Sequence, residues 1–380
     1  MKQSFTFNTS VITSTASKYN AEVFDSSIEA YKNGDYLRSL HALLDATDPS
    51  IREKYGNPAG NEFRIPHGPI YITIKADQEK ISITAPFVTL PEEHSIAMMR
   101  EVAVINFNDL DLSRLHLKEN GLYFEYSSPL SFSHPRKLYH VLNEICRIGS
   151  KYDYEFRHTF GAQRLSEPFF TSYEEKTVDY VGEVIRQSCE ECLEVLSYFE
   201  PSRRFGDMRN AIKATFLRLI YVIQPQDRLL HTLQKAVRDM DRDIPLAIVI
   251  ANGKQTIREL QEQKREELVE SLYFTETFIP AKKRSNLQNI RENYEKCYKW
   301  AAADMSSGEY RSVCFRILCK FYETYHQNQM QENLDHLLTE SLRQASALSW
   351  AEAAFILYET LKTITFGPLL TNRGNNPIAA

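Results

Sequence analysis

One glycine-lysine pair has the residue types of a phosphate-binding loop. Gly253-Lys254 follows an apolar run, as the last glycine and the lysine of such a loop do. That loop also needs a glycine at position 248 and a serine or threonine at position 255, where Ile248 and Gln255 stand. The sequence therefore gives no support to nucleotide binding at this point.

Three aspartates with a two-residue spacing imitate the beginning of a calcium-binding loop. They are Asp239, Asp241 and Asp243. The sixth position of such a loop must be glycine for its sharp turn, and the twelfth must be glutamate as a bidentate ligand. Ile244 and Ile250 stand at these two positions. We therefore expect a solvated helix end rather than a calcium site.

Pairs of cysteines and histidines could hold a metal ion or transfer protons. Cys189 and Cys192 have metal-ligand spacing, but no second pair of suitable spacing follows to complete four zinc ligands. Both thiols continue an apolar helical stripe, so we expect them in a core. His134 and His140 are six residues apart at a helix start, so about one and a half turns separate their directions and we expect ordinary surface histidines. Since GxSxG, HExxH and GxGxxG are all missing from the sequence, we predict no catalytic, cofactor-binding or metal-binding residue.

Length and charge narrow the class of protein. The 380 residues fit about two domains, and the low content of Gly (13) and Pro (15) favours long helices. The net charge of -5, with basic and acidic residues interspersed, predicts no nucleic-acid partner. No apolar run reaches the length of a membrane span or of a signal peptide, so we expect a cytoplasmic protein with no membrane partner.

The elements that could form a binding surface begin with residues 62–90, EFRIPHGPIYITIKADQEKISITAPFVTL. Their strict two-residue alternation predicts a β-meander. Ile70, Ile72 and Ile74 should lie on the buried face, while Tyr71 and Thr73 point the other way.

A β-hairpin is predicted at residues 114–126, RLHLKENGLYFEY. Its Asn120-Gly121 pair is the strongest short turn signal in the sequence, because a type I′ turn needs two residues at positive φ. This turn would place Lys118 opposite Tyr123 and His116 opposite Glu125. The apolar side chains that should join the core on one face are Leu117, Leu122 and Phe124.

A helical hairpin and two further helices are predicted around these strands. Ser26 and Glu29 form a capping-box pattern in the first helical hairpin. Pro91 suits the first residue of a second helix, with a buried stripe of Ile96, Met99, Val102 and Ala103. A third helix should run from Pro135 to a stop at Gly149, and residues 151–158 alternate like a strand or an extended arm.

The period becomes helical from about residue 170. A capping-box pattern at Ser172 and Glu175 begins the first of these helices, and LAIVIA at residues 246–251 fits either a strand or a buried helix. Short connections predict antiparallel helical hairpins, whose Gly-acid-aromatic turns have a weak tetratricopeptide-like character. Further helices are predicted at residues 207–223, 227–240, 256–274, 287–303, 309–326, 331–347 and 349–364.

We therefore predict an α+β protein, with an N-terminal domain of helix, antiparallel sheet and helix, and a C-terminal all-α domain of helical hairpins. Proteases should cut near residue 165 or in a loop at residues 275–286. The predicted segments are a mobile arm at 1–23, the α/β domain at 24–165, the helical domain at 170–365 and a flexible tail at 366–380.

The order of elements over residues 24–160 resembles the small α/β fold of class I type III secretion chaperones and of YbjN-like bacterial proteins. The resemblance rests on the meander at 62–90 and the hairpin at 114–126 between helices. It implies a twisted antiparallel sheet with helices against one face, frequent dimerisation, and binding of extended segments of other proteins.

Our leading hypothesis is a non-enzymatic bacterial cytoplasmic factor that binds a partner protein, or a second copy of itself, in a chaperone-like way. The alternatives are an enzyme or regulatory subunit with a site between the two domains, and a structural component of a bacterial assembly. The face opposite the buried isoleucines mixes polar and aromatic residues, which suits a surface that is in water when free and covered when a partner binds. The alternative is a simple solvated face, which is the commoner arrangement in antiparallel sheets. The residues predicted to bind the partner are Tyr71, Thr73, Ser82, Thr84, Tyr123 and Glu125.

Overall fold

The chain has an α+β fold, seen here in a computed structural model that describes residues 4–12, 20–167, 170–280, 282–284 and 287–367. It divides into two compact units. The α/β unit consists of Ser17–Thr171 and Phe274–Ala281. The helical unit consists of Met1–Ala16, Ser172–Tyr273 and Lys282–Ala380.

A five-stranded antiparallel sheet with strand order β1-β2-β3-β5-β4 forms the centre of the α/β unit. A short 3-10 helix at Leu130–Phe132 leads from the sheet into the last helix of this unit. The elements in chain order are α1 (Ala21–Lys32), α2 (Tyr36–Thr47), α3 (Ile51–Tyr55), β1 (Glu62–His67), β2 (Ile70–Ala76), β3 (Lys80–Thr89), α4 (Ser95–Asn108), β4 (Arg114–Lys118), β5 (Gly121–Pro129), α5 (Pro135–Phe160) and β6 (Thr171–Ser172).

The predicted β-meander is confirmed, with strands β1, β2 and β3 inside residues 62–90. Ile70, Ile72 and Ile74 are fully buried, because their face of the sheet packs against helices. Leu142 and Ile145 of α5 belong to the same core. The two-residue period thus identified the buried face correctly.

The predicted turn of the β4–β5 hairpin is wrong by one residue. Lys118 pairs with Gly121, so the two-residue loop is Glu119-Asn120, and Glu119 takes the positive φ of 52°. Gly121 is needed inside the strand, since a Cβ there would lie 2.6 Å from Cδ1 of Leu165. His116 consequently faces Tyr123 rather than Glu125.

The buried side of this hairpin follows from the corrected pairing. Leu122 and Phe124 are buried as predicted. Leu117 shares their face, but it lies at the end of an edge strand and is 43% exposed. Leu115, opposite Phe124, is the β4 residue that reaches the core.

Helix α5 is longer than predicted, and the strand or arm at residues 151–158 is wrong. Gly149 lies inside the helix, where a Cβ would come within 2.7 Å of Cδ1 of Ile70. The glycine therefore permits close packing on the sheet instead of ending the helix. Tyr152 and Phe156 continue the buried stripe, and the helix ends at Gly161, whose φ is +73°.

Helices α1 and α6 begin away from the predicted capping boxes. Asn20 caps α1 by accepting hydrogen bonds from the N–H groups of residues 22 and 23, so Ser26 lies within the helix. Helix α6 begins after Glu174, without a side-chain cap from Ser172.

Helix α4 begins at Ser95 rather than at Pro91, and its buried stripe differs from the predicted one. Ile96 is 72% exposed. The start differs by four residues, about one turn. Of the predicted stripe only Val102 is buried, while Met99 is partly buried and Ala103 is exposed. The residues of α4 that enter the core are Met98, Val102 and Ile105.

The helical unit contains the antiparallel helices predicted at 287–364, with ends within a few residues. LAIVIA belongs to a helix, and the helix predicted at 256–274 is replaced by the end of α9, by α10 and by β7. The elements of this part are α6 (Glu175–Phe199), α7 (Phe205–Ile223), α8 (Asp227–Asp239), α9 (Leu246–Gln261), α10 (Arg265–Glu270), β7 (Tyr273–Phe274), β8 (Lys283–Arg284), α11 (Leu287–Ser306), α12 (Tyr310–Gln327), β9 (Asn328–Gln329), α13 (Glu332–Ala345) and α14 (Trp350–Phe366).

Two segments pack in units to which the sequence analysis did not assign them. Residues 4–12, within the predicted arm, belong to the helical unit, where Phe5 is only 2% exposed and its carbonyl accepts the N–H of Ala347. Phe274–Ala281, which overlaps the predicted protease-sensitive loop at 275–286, belongs to the α/β unit. Beyond residue 367, the predicted tail lies outside the described residues.

Candidate partner-binding surface

The six residues predicted to bind a partner lie together on one face of the sheet, which we call the open face. It is the face opposite Ile72 and Ile74, and it carries alternate residues of β2, β3 and β5. All six side chains are partly exposed. The residues are Tyr71, Thr73, Ser82, Thr84, Tyr123 and Glu125.

A polar row crosses all five strands in the middle of the open face. Thr73 pairs with Thr84, and Thr84 pairs with Glu125. Arg64 of β1 and Arg114 of β4 are the partners at the two ends of this row. The Arg114 guanidinium turns back to the carbonyls of residues 110 and 113, so the centre of the row offers two hydroxyls and one carboxylate.

An aromatic row lies beside the polar row. Tyr71 pairs with Pro66 of β1, and Tyr123 pairs with Pro86 of β3 and with His116 of β4. The β2–β3 pairing ends at Thr73–Thr84, and Tyr71 and Pro86 each lie two residues beyond that pair in the same direction, on neighbouring strands. The row combines large rings with proline surfaces, which gives contact area at a low cost in rotamer entropy.

Charges on the open face are mostly paired. Lys75 lies 2.9 Å from Glu62, and Lys118 forms an ion pair with Glu125. The Arg64 guanidinium lies 4.1 Å from the centroid of the Tyr71 ring. Exposed pairs of this kind contribute little to stability, so a partner could rearrange them at a small cost.

Sequence reasoning missed the contributions of the outer strands to the open face. Arg64 and Pro66 alternate with buried residues in β1, which was a usable signal. The incorrect hairpin turn placed His116 opposite Glu125, whereas the structure places Arg114 there.

The edges of the sheet are largely occupied by local groups. On β4, the side-chain amide of Asn106 accepts the N–H of Leu115 at 2.8 Å and donates to its carbonyl at 3.0 Å. On β1, Asn57 bonds both backbone groups of Glu62, and Pro66 has no N–H to donate. These features discourage extension of the sheet by an added strand.

One group of three potential metal ligands occurs in the described part of the chain: Asp111, His140 and Glu144. Nε2 of His140 lies 3.2 Å from Asp111 and 3.1 Å from Glu144. The buried Glu144 carboxylate already accepts hydrogen bonds from the N–H groups of Asp111, Leu112 and Ser113 and from the Ser113 hydroxyl. Its lone pairs anchor the loop before β4, so the group fits a structural role better than a metal site.

A polar cavity of about 350 Å³ opens near the end of α5. Arg157 and Arg164 line it, and both guanidinium groups bind the buried Asp153 carboxylate, at 3.0 and 2.6 Å. The carboxylate thus ties the end of the helix to the segment that follows. This arrangement accounts for the buried charges by internal pairing.

The six cysteines are free and buried. Burial raises the pKa of the Cys189 thiol to about 12 and that of Cys192 to about 11. Both thiols therefore stay protonated at neutral pH, in a form that is a poor nucleophile.

Comparisons with known proteins give no family for the chain. No protein-family model matches it, and no curated protein or solved structure shows significant similarity to it. Among the described helices, none combines the length and the apolar character needed to cross a membrane.

Proposed function

We propose that the protein is a non-enzymatic, chaperone-like factor of the bacterial cytoplasm that binds a partner protein, or a second copy of itself, through the open face. The observation that carries the proposal is the aromatic row of Tyr71 and Tyr123 with Pro66 and Pro86, next to the threonine row. Rings and prolines supply area for burial, and the hydroxyls of Thr73 and Thr84 adapt their hydrogen bonds to whatever covers them.

Binding on the face agrees with the state of the sheet edges. Asn106 and Asn57 satisfy outward backbone groups of the two edge strands, so a partner gains little from pairing there. The face, in contrast, keeps partly exposed side chains on three central strands. A partner that lies across the strands would contact both rows.

The composition supports a cytoplasmic protein partner. Six buried thiols without a disulfide are typical of a reducing compartment. A net charge of -5 disfavours binding to nucleic acid, because phosphate contacts require an excess of Lys and Arg. The helix, sheet and helix order on which the resemblance to secretion chaperones rests also supports a chaperone-like role.

The proposal can be tested with the double variant Tyr71→Ala/Tyr123→Ala. We expect it to lose partner capture, measured by co-purification from the native cell and mass spectrometry, and to lose any self-association, measured by sedimentation. Its thermal midpoint should change little, because the two rings are partly exposed and each cross-strand pair contributes about 0.2–1 kcal/mol.

The matched control is Tyr180→Ala/Tyr310→Ala, which removes two exposed tyrosines from the helical unit. It should bind and associate like the wild type. If the open-face variant binds and associates normally, the proposal is wrong. If it unfolds, the two rings are part of the fold rather than of an interface.

A further inference from the structure

A short segment of the chain occupies a groove in the α/β unit, and we call residues 274–280 the strap. Past Phe274 it has no helix or strand of its own, and it follows helices α6 to α10 in sequence. Phe278 and Ile279 are 5% and 1% exposed and belong to the core of the α/β unit. The strap is therefore held by two adjacent apolar anchors.

Polar contacts fix the backbone of the strap at the β1–β2 turn. Gly68 donates its N–H to the carbonyl of Glu276 at 2.8 Å and accepts the Thr275 hydroxyl at 3.2 Å. The N–H of Phe278 donates to Nδ1 of the buried His67 at 3.1 Å. These three bonds define the register of the strap in the groove.

Two further residues of the α/β unit contact the strap, one at the Glu276 side chain and one at the strap backbone. The Tyr55 hydroxyl of α3 donates to the Glu276 carboxylate. The backbone of Ile279 lies beside the Cys146 thiol of α5. The groove is thus built from α3, the β1–β2 turn and α5, all of which lie within Ser17–Thr171.

We propose that this groove is a second binding site, distinct from the open face, that exchanges the strap for an extended segment of a partner protein. The segment it fits has the chemistry of Glu276 to Pro280: a carboxylate, then two adjacent bulky apolar residues, then a proline. All the strands and helices of the unit lie before residue 275, so the release of residues 275–280 breaks no element. The strap then acts as an internal ligand that keeps the groove closed until a competing segment arrives.

The test uses the full chain with Phe278→Ala/Ile279→Ala, which removes both anchors of the internal ligand. The probe is a fluorescein-labelled peptide of residues 273–281, YFTETFIPA, and its binding is measured by fluorescence anisotropy. We expect the variant to bind the peptide at least tenfold more tightly than the wild type, whose groove is filled. A peptide with the same two alanines should not bind the variant.

Two results would overturn the proposal. The first is a folded variant that does not bind the wild-type peptide. The second comes from hydrogen exchange of the wild-type chain, which decides the matter if the variant does not fold. There we expect the amide of residue 278, which is bonded to His67, to exchange at least tenfold faster than those of β2, and equal rates would show that the strap opens only with the whole unit. Because neither readout involves Tyr71 or Tyr123, failure here leaves the proposed function of the open face untouched.

Discussion

Glu144 is the buried charge on which the loop before β4 depends. Its carboxylate accepts four hydrogen bonds from residues 111–113. Glu144→Gln removes the negative charge and turns an NH₂ group towards N–H donors, so we expect the free energy of unfolding to fall by about 3 kcal/mol. Urea denaturation measures this loss.

Asp111→Asn is the matched control for Glu144→Gln. The Asp111 side chain is 77% exposed and contributes only a contact with His140. We expect this variant to change the free energy of unfolding by less than about 0.5 kcal/mol. Equal effects of the two substitutions would show that Glu144 does not anchor the loop.

His67 should make the α/β unit sensitive to acid. Burial lowers its pKa from 6.5 to about 4, against a smaller opposing effect of the bond to the Cys146 backbone. The neutral ring is therefore favoured in the folded state, and its contribution is complete above pH 6.5. It is lost as the pH falls from 6.5 to 4, up to about 3 kcal/mol.

His67→Asn isolates this contribution, because an Asn side-chain oxygen can accept the N–H of Phe278 as Nδ1 does but does not titrate. We expect the difference in stability between wild type and variant to shift by about 2 kcal/mol between pH 7 and pH 5, in favour of the variant at the lower pH. A difference that stays constant over this range would contradict the buried neutral histidine.

The chemistry of single residues was only partly predictable from the sequence. Alternation in β2 and β3 was enough to place Tyr71 and Thr84 on one face, because side-chain direction in a strand is a local property. Glu144 and His67 were not predictable, since their partners lie in segments distant in sequence. No local pattern marks such pairs.

Among the elements, the β4–β5 turn offers a test by substitution with glycine, which should stabilise the protein at position 119 and destabilise it at position 120. Glu119 has a φ of 52°, which costs an L-residue about 1–2 kcal/mol, whereas Asn120 has no positive φ. We expect Glu119→Gly to raise the free energy of unfolding by about 1 kcal/mol. Asn120→Gly should lower it by about 0.5–1 kcal/mol through added chain entropy.

Thermal denaturation of these two variants distinguishes the possible turns. If the loop were Asn120-Gly121, as the sequence indicates, glycine at position 120 would be the stabilising change. That outcome would overturn the observed register and with it the pairing of His116 with Tyr123.

The helices show where sequence periodicity succeeds and where it fails. The helices α11 to α14 were predicted closely, because their apolar spacing is regular and their connections are short. The end of helix α5 was predicted too early, at Gly149, because glycine often follows the last residue of a helix. In the structure Gly149 lies inside the helix and permits close packing against Ile70. A glycine that permits contact and one that ends a helix are identical in sequence.

For the whole molecule, assigning each domain one continuous stretch of sequence was the main simplification. The strap packs in the α/β unit although it follows helices of the helical unit in sequence. Residues 4–12 pack in the helical unit although they precede the α/β unit. Their anchors, Phe278, Ile279 and Phe5, are ordinary apolar residues in segments without periodicity. Only tertiary packing decides which core such residues join.

The cysteines provide a prediction for the whole chain. All six are buried, and burial raises the pKa of Cys189 to about 12. We expect Ellman's reagent to react with fewer than one thiol per chain in the native state within minutes, and with all six in guanidinium. Rapid native reaction, or stoichiometric zinc by elemental analysis, would contradict a purely structural role.

The central claim, that the open face binds a protein, is tested most directly by photo-crosslinking in the native cell. Benzoylphenylalanine replaces Tyr71 or Tyr123 in separate variants, with Tyr310 of the helical unit as the control position. The account predicts one discrete adduct from positions 71 and 123, either with a partner or with a second copy of the chain, and no such adduct from position 310. Absence of adducts from both open-face positions, or the same adducts from all three, would contradict it.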